Sequence, residues 1–195
     1  MTRPQIAIII GSTRQGRFGD RPATWLHALG TQRPDLGFEI VDLRNYPLPF
    51  FDEVTAPAAA PPNNEVALRW AAKLATCDGF IFVTAEYNHG VPAVLKNALD
   101  YAYKEFNRKP AAFVGYGGVG AARAVQQLRL TAAGLQMVPL ARAVHINMPE
   151  YVGVLQQGKA FDEFPHLVSA AAAMLDDLQW WATALKGARE PRHET

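Results

Sequence analysis

The sequence has one cysteine, almost no net charge and no long apolar run. The single cysteine, Cys77, excludes an internal disulfide and a metal site built from several cysteines. A formal net charge of +1 at pH 7 gives no support for nucleic-acid binding. No apolar run approaches the roughly 20 residues needed to cross a bilayer, and no signal peptide is visible. We therefore expect a cytoplasmic protein that binds neither nucleic acid nor membrane.

Apolar runs alternate with stretches of helical periodicity five times along the 195 residues. The first apolar run is Ile6–Ile10, and the last strand falls within Gln136–Ile146, before a helix predicted over Leu167–Lys186. This alternation predicts one α/β domain over residues 1–195, with a parallel sheet covered by helices on both faces. The polar residues 189–195 are predicted to form a disordered tail. Ligands of such sheets bind at the carboxyl ends of the strands.

The first loop at those ends has the composition of a phosphate-binding turn. Gly11–Arg17 reads GSTRQGR between a strand and a helix that begins at Asp20, where unpaired peptide N–H groups favour an anion. Arg17 and Phe18 replace the Lys and hydroxyl residue of nucleoside triphosphatases, so we predict a phosphate monoester held without metal. The alternative is a turn whose arginines face water. The candidate donors are Ser12, Thr13, Arg14 and Arg17.

The second loop, Ala85–Val91, begins AEYNHG and is rich in polar groups that suit an aromatic heterocycle. His89 could titrate near neutral pH, but no paired acid or nucleophile stands beside it. The five histidines show no metal-ligand spacing, so no metal is expected. The alternative role for Glu86 and Asn88 is capping of a helix start, which is compatible with ligand contact.

The third loop, Gly115–Gly120, matches G-x-G-x-x-G after a strand and before a helix. A dinucleotide site also needs an acidic residue about 20 positions further on, and no Asp or Glu lies between Glu105 and Glu150. The match is therefore a false one for such a site. Its small residues still let a flat ring approach the backbone closely. The alternative is that they only permit tight packing of strand against helix.

These motifs resemble those of the NAD(P)H-dependent FMN reductase family. They are GSTRQGR at 11–17, AEYNHGVPAVLKNALDYAY at 85–103 and GYGGVGAARA at 115–124, and the resemblance covers most of residues 4 to about 185. It implies a flavodoxin-like three-layer sandwich with five parallel strands in the order 2-1-3-4-5. Ala85 stands where the family usually has proline, and we expect this to weaken ring binding without abolishing it.

The resemblance also implies FMN as cofactor and NADPH or NADH as co-substrate. The residues implied to hold the FMN phosphate are Ser12, Thr13, Arg14 and Arg17. Those implied to line the flavin ring are Glu86, Tyr87, Asn88, His89 and Gly90, with Gly117, Gly118 and Gly120 at its border.

The implied reaction is hydride transfer from NAD(P)H to flavin, followed by electron delivery to a small-molecule acceptor. The acceptor could be a quinone, an azo compound, a nitroaromatic, a metal oxyanion or free flavin. Because the flavin carries the electron chemistry, no catalytic acid, base or nucleophile is predicted. The alternative is a non-enzymatic flavin-binding electron carrier or regulator. The net charge of +1 speaks against a carrier, because carrier flavodoxins are typically strongly acidic.

Two further expectations concern NADPH and subunit assembly. The acid-free stretch carries five basic residues that could face a 2′-phosphate and so favour NADPH, namely Arg108, Lys109, Arg123, Arg129 and Arg142. A helix predicted over Ala93–Tyr103 leaves Tyr101, Tyr103 and Phe106 without obvious burial, which predicts an interface of a homodimer or homotetramer. The alternative is that these rings pack under the long loop Asn45–Asn64 of the same chain.

Overall fold

The computed structural model describes residues 2–189 and contains one parallel sheet with helices on both faces. The strands are Gln5–Ile10 (β1), Gly37–Asp42 (β2), Gly79–Ala85 (β3), Pro110–Tyr116 (β4) and Val138–Ile146 (β5). The helices are Asp20–Thr31 (α1), Glu65–Ala75 (α2), Ala93–Asp100 (α3), Ala122–Gly134 (α4), Met148–Gln156 (α5) and Pro165–Arg189 (α6). The strand order is β2-β1-β3-β4-β5, so the predicted flavodoxin-like topology is confirmed.

The central strands are apolar because the sheet is buried on both faces. Every residue of β3 and of β4 is buried, as are Ile6–Ile10 in β1. One apolar core lies between the sheet and the helices α1 and α6, and a second lies against α2, α3 and α4. This packing aligns the carboxyl ends of β1, β3 and β4 along one edge of the sheet.

Helix α2 begins at Glu65 because Asn64 caps it. The Asn64 side chain accepts hydrogen bonds from the N–H groups of Val66 and Ala67 at 2.9 and 3.2 Å. Trp70 then donates its indole N–H to the Ala98 carbonyl at 2.8 Å and ties α2 to α3.

Helix α3 ends at Asp100, three residues earlier than predicted, and the rings that follow it are buried within the chain. Tyr101 and Phe106 are both 0% exposed. Tyr101 donates its hydroxyl to the Phe50 carbonyl at 3.3 Å and its ring meets Phe51 edge-on at 5.1 Å, while Phe106 packs against Phe80. The prediction that Tyr101 and Phe106 lack burial is therefore wrong, because the long loop 45–64 covers Tyr101.

The carboxyl-terminal third contains a helix that the sequence analysis missed. The edge strand β5 accommodates Pro139 near its start, beside a register shift against β4. Helix α5, which the sequence analysis missed, follows β5 directly.

Helix α6 begins at Pro165 and includes Arg189, which pairs with Asp78 instead of starting a disordered tail. The rest of that predicted tail, 190–195, lies outside the described residues.

No helix within residues 2–189 is long and apolar enough to cross a membrane.

Candidate functional site

The three predicted loops meet at the carboxyl ends of β1, β3 and β4. The hydroxyl groups of Ser12 and Tyr87 are 3.0 Å apart and join the first loop to the second. A cavity of about 210 Å³ opens between the loops. Its walls include Arg14, Tyr87, Tyr116 and Gly117 from the loops, with Met148 and Tyr151 from α5.

The two arginines of the first loop have different surroundings. Arg14 is exposed and lines the cavity. Arg17 also touches the cavity, but it is only 7% exposed and donates all five of its side-chain N–H groups to protein oxygens. The acceptors are the Ser12 carbonyl at 2.6 Å and the carboxylates of Asp42 and Asp20 at 2.5–2.9 Å. Arg17 therefore fixes the base of the loop, whereas Arg14 faces the space that a ligand would enter.

The end of β2 supports the first loop from the other side. Arg44 donates from Nη2 to the Arg14 carbonyl at 2.5 Å, and the Arg44 N–H donates to Asp42 at 2.9 Å. Burial alone would raise the pKa of Asp42, but hydrogen bonds from Arg17 and from the Arg44 N–H outweigh it and lower that pKa. The loop is thus held by an ionised carboxylate and two guanidinium groups.

The second loop turns sharply at Asn88 and His89, both of which have left-handed backbone angles (φ 50° and 67°). Tyr87 and Gly90 exchange two backbone hydrogen bonds of 2.9 and 3.1 Å around them, which defines a tight turn with both central residues at positive φ. Asn and His tolerate such angles better than most side chains. The side chains of Tyr87, Asn88 and His89 are consequently exposed at the edge of the sheet.

Glu86 caps a helix, although the helix is α4 and not the α3 that follows its own loop. Its carboxylate accepts from the N–H groups of Arg123 and Ala124 at 3.0 and 3.3 Å, and also pairs with the Arg123 side chain. Burial tends to raise the pKa of Glu86, but these donors lower it overall. Gln127 of α4 adds a second link by donating to the His89 carbonyl at 3.1 Å. The second loop is thus attached to the helix that follows the third loop.

The glycines of the third loop have two separate functions. Gly117 has φ 129°, and a Cβ atom at Gly117 or Gly118 would meet nothing within 4 Å, so this backbone is open to a ligand. Gly120 is buried, and a Cβ there would lie 2.8 Å from the Cβ of His145. Gly120 therefore serves the close packing that the alternative interpretation described, and it does not line the open space.

Sequence reasoning missed the aromatic side of the cavity. Phe18 directly follows the first motif, Tyr116 lies within the third, and Met148 and Tyr151 come from the missed helix α5. The start of α5 carried a recognisable signal, because Asn147 precedes Met148-Pro149-Glu150, with proline and an acid in the first turn. The approach of α5 to Phe18 is a tertiary contact that no local pattern encodes.

Most of the basic residues in the acid-free stretch lie away from this cavity. Lys109 and Arg108 precede β4 at the opposite end of the sheet. Arg129 donates to the carbonyls of Leu140 and Ala141, and Arg142 pairs with Asp177 at 3.0 Å. Only Arg123, through Glu86, is connected to the second loop.

The fold defines an α/β protein of the flavodoxin-like class, in which three loops meet at one cavity. Residues 4–150 match the NADPH-dependent FMN reductase family, and the chain belongs to that family. It is 36% identical over 182 residues to an NAD(P)H-dependent FMN reductase of Schizosaccharomyces pombe, covering 84% of this chain and 90% of that one. It is also 36% identical over 154 residues to a 2-hydroxy-1,4-benzoquinone reductase of a Burkholderia species, covering 75% and 76%.

Among solved structures, the chain resembles FerB, a flavoenzyme NAD(P)H:(acceptor) oxidoreductase of Paracoccus denitrificans. The TM-score is 0.71 at 24% identity, over 93% of this chain and 98% of that one, which shows a shared fold. The prediction of an FMN-dependent oxidoreductase that uses NAD(P)H is confirmed at the level of the family. These relatives are named as reductases, so the class that they indicate is an enzyme and not an electron carrier.

Proposed function

We propose that the protein reduces quinones with electrons from NAD(P)H, through FMN bound at the junction of the three loops. The observation that carries this proposal is the cavity between those loops, with the exposed Arg14 and an open glycine backbone on its walls. When bound, FMN supplies the hydride and electron transfer, and the protein supplies binding and orientation.

The residues present fit a flavin mononucleotide. Arg14 offers a guanidinium on the cavity wall, and the exposed Thr13 offers a hydroxyl beside it in the same loop, which together suit a phosphate. The Ser12 hydroxyl is buried and already bonded to the Tyr87 hydroxyl, so it supports the loop. Tyr87, Asn88 and His89 stand at the exposed turn where a flat ring can lie against the backbone of Gly117 and Gly118. We assign Arg17, Glu86 and Gly120 a supporting function, because their polar groups or packing are engaged within the protein.

The surroundings of the turn explain how the protein orients a ring without a catalytic side chain. Gln127 and Glu86 hold the second loop against α4, so the distance between the second and third loops is set by the fold. Such a preformed gap positions a planar group for transfer, since orientation alone removes much of the barrier of a bimolecular step.

A quinone is the acceptor class that we favour over azo compounds, nitroaromatics, metal oxyanions and free flavin. The support is the 36% identity to a protein named as a 2-hydroxy-1,4-benzoquinone reductase. The side chains of Asn88 and His89 are exposed at the turn, so a small acceptor can reach them.

The deciding experiment is the visible spectrum of the purified protein, followed by anaerobic addition of NADPH or NADH. We expect a flavin spectrum that bleaches with nicotinamide and returns on addition of 1,4-benzoquinone. Failure to bind FMN in equilibrium dialysis would reject the proposal. Reoxidation by an azo dye or by free FMN, but not by the quinone, would change the acceptor class.

We also propose that the protein prefers NADPH to NADH. This proposal depends on Arg123, a basic residue of the acid-free stretch that pairs with Glu86 of the second loop. Equal catalytic efficiency with the two nucleotides would remove it. An Arg123→Ala variant that loses efficiency with NADPH alone would support it.

We also propose that the chain is one domain that works as a homodimer or homotetramer in the cytoplasm. Because Tyr101 and Phe106 are buried, the support now comes from Phe50 and Val54, which are 83% and 99% exposed on loop 45–64. Sedimentation at micromolar concentration tests this, and we expect Phe50→Ser to weaken assembly. A clean monomer of 21.4 kDa for the unchanged protein would contradict the proposal.

A further inference from the structure

Tyr116 has a buried hydroxyl group that is without a hydrogen-bond partner anywhere in residues 2–189. The residue is 5% exposed and ends strand β4, inside the glycine motif of the third loop. A buried hydroxyl without a partner costs free energy, and most such groups in proteins are paired with protein, water or ligand. The group therefore requires an explanation that the packing of the chain does not provide.

The surroundings of the Tyr116 ring keep the hydroxyl in place. Tyr116 is paired in the sheet with Ala85 on one side and Ile146 on the other. The Phe18 ring packs on it with centroids 5.3 Å apart, and a Cβ atom at Gly19 would lie 3.0 Å from the hydroxyl oxygen. Because glycine stands at position 19, the hydroxyl can lie next to the start of α1.

The position of the hydroxyl indicates the charge of the missing partner. Tyr116 lines the same cavity as Arg14 and Tyr87, beside the amino end of α1 where the helix dipole favours negative charge. Burial raises the pKa of Tyr116 well above its usual range, so the phenol keeps its proton and acts as a donor. A protonated phenol beside the amino end of a helix calls for an anionic oxygen as acceptor.

We propose that Tyr116 donates its hydroxyl hydrogen bond to the phosphate of flavin mononucleotide and so makes the site selective for the phosphorylated flavin over riboflavin. This inference rests on the proposed function. Tyr116 and the exposed Arg14 line the same cavity and then bind the same group. Tyr116 is then a specificity-determining residue, and it lies within the glycine-rich motif of the third loop.

The variant Tyr116→Phe tests the inference, because it removes the hydroxyl and leaves the ring packing. We expect the dissociation constant for FMN to rise about 10- to 100-fold, the range for loss of a hydrogen bond to a charged group. We expect riboflavin to bind equally well to both proteins. We also expect the urea midpoint of the flavin-free variant to be unchanged or higher, because no hydrogen bond within residues 2–189 is lost.

Tyr103→Phe is the matched control, since its hydroxyl lies outside the cavity and accepts a hydrogen bond from Gln136 at 2.9 Å. We expect this control to lose some stability without flavin and to bind FMN normally. The opposite responses of the two variants would separate a hydroxyl reserved for a ligand from one that stabilises the fold.

Three outcomes would overturn the inference. One is unchanged FMN affinity in Tyr116→Phe, and another is an equal loss of FMN and riboflavin affinity, which would place the bond on the flavin's sugar chain. The third is a lower urea midpoint of the flavin-free variant, which would reveal a structural partner. If the unchanged protein binds no FMN, the proposed function fails. In that case, the addition of inorganic phosphate tests the assignment of Tyr116. The assignment requires that phosphate stabilises the unchanged protein but not the Tyr116→Phe variant.

Discussion

The two ends of the parallel sheet both contain buried charge, but they use it differently. At the amino end, Asp78 pairs with Lys186 at 2.9 Å and with Arg189 at 2.7 Å, and Lys109 donates to the Leu74 carbonyl. At the carboxyl end, Arg17 is equally engaged, yet Arg14 is exposed and the Tyr116 hydroxyl has no partner among residues 2–189.

This difference indicates that available hydrogen-bonding capacity, and not the number of charges, distinguishes the end that we propose as the binding site from the structural end. The amino-end groups complete one another, because the Asp78 carboxylate also accepts from the Gln5 N–H at 3.0 Å. At the carboxyl end, Asp42 engages Arg17, while the Tyr116 hydroxyl remains without a partner among residues 2–189. Each of the following variants changes a group at one of these two ends of the sheet.

Arg17→Ala should give the largest effect, because it leaves the Asp20 and Asp42 carboxylates without their shared cation. We expect a loss of about 3 kcal/mol in the free energy of unfolding, as for a broken buried ion pair. FMN binding should fall as well, since the base of the first loop is released. Urea unfolding measures the first effect, and a variant as stable as the unchanged protein would show that the ion pairs do not hold the loop.

Arg14→Ala should weaken FMN binding by about 1.5–3 kcal/mol, the range for hydrogen bonds to a charged group. Because Arg14 is exposed, the free energy of unfolding should change by less than about 0.5 kcal/mol. Arg3→Ala, at an exposed position before β1, is the control for losing a positive charge. Fluorescence titration with FMN and riboflavin gives both affinities, and an Arg14→Ala protein that binds FMN normally would remove the phosphate assignment.

Asp78→Asn should destabilise the amino end by about 1–2 kcal/mol at pH 7. Burial would raise the pKa of Asp78, but the bonds from Lys186 and the Gln5 N–H lower it overall. A lowered carboxyl pKa contributes stability above the unfolded value of about 4 and loses it as pH falls through the folded value.

The difference between the Asp78 proteins should therefore shrink as the pH is lowered below about 4. Urea midpoints from pH 7 to pH 3 measure it, and Asp35→Asn, which removes a pair more exposed than those of Asp78, is the control. A difference that is constant with pH would indicate lost packing, not lost charge.

Lys109→Met should have the smallest effect and the opposite sign. Burial lowers the pKa of Lys109 to about 8, below the value of about 10.4 in an unfolded chain. Below pH 8 the buried ammonium is charged in both states, and replacing it should stabilise the fold by about 1 kcal/mol. Between pH 8 and 10 the unfolded state holds more proton, so the unchanged protein gains stability and the advantage of the variant should disappear.

Sequence reasoning reached the layers and the three loops, because buried parallel strands and helix starts have local signatures, whereas the strand order was implied by the family resemblance. The continuous apolar run of β1 and the helix start at Asp20 are examples. It could not separate Arg14 from Arg17, because the acids that engage Arg17 include Asp42, which lies 25 positions away. It also misjudged Tyr101, because the cover of that ring comes from a loop some 50 residues earlier in the chain.

The turn at Asn88 and His89 makes the second loop a convenient position for altering substrate choice. Both side chains are exposed, so exchanging them disturbs little of the packed core. Their positive backbone angles, however, limit the useful replacements to glycine, Asp and similar small polar residues, and exclude β-branched ones. A directed library at these two positions can therefore be very small and still sample most of the chemistry that this loop can present to an acceptor.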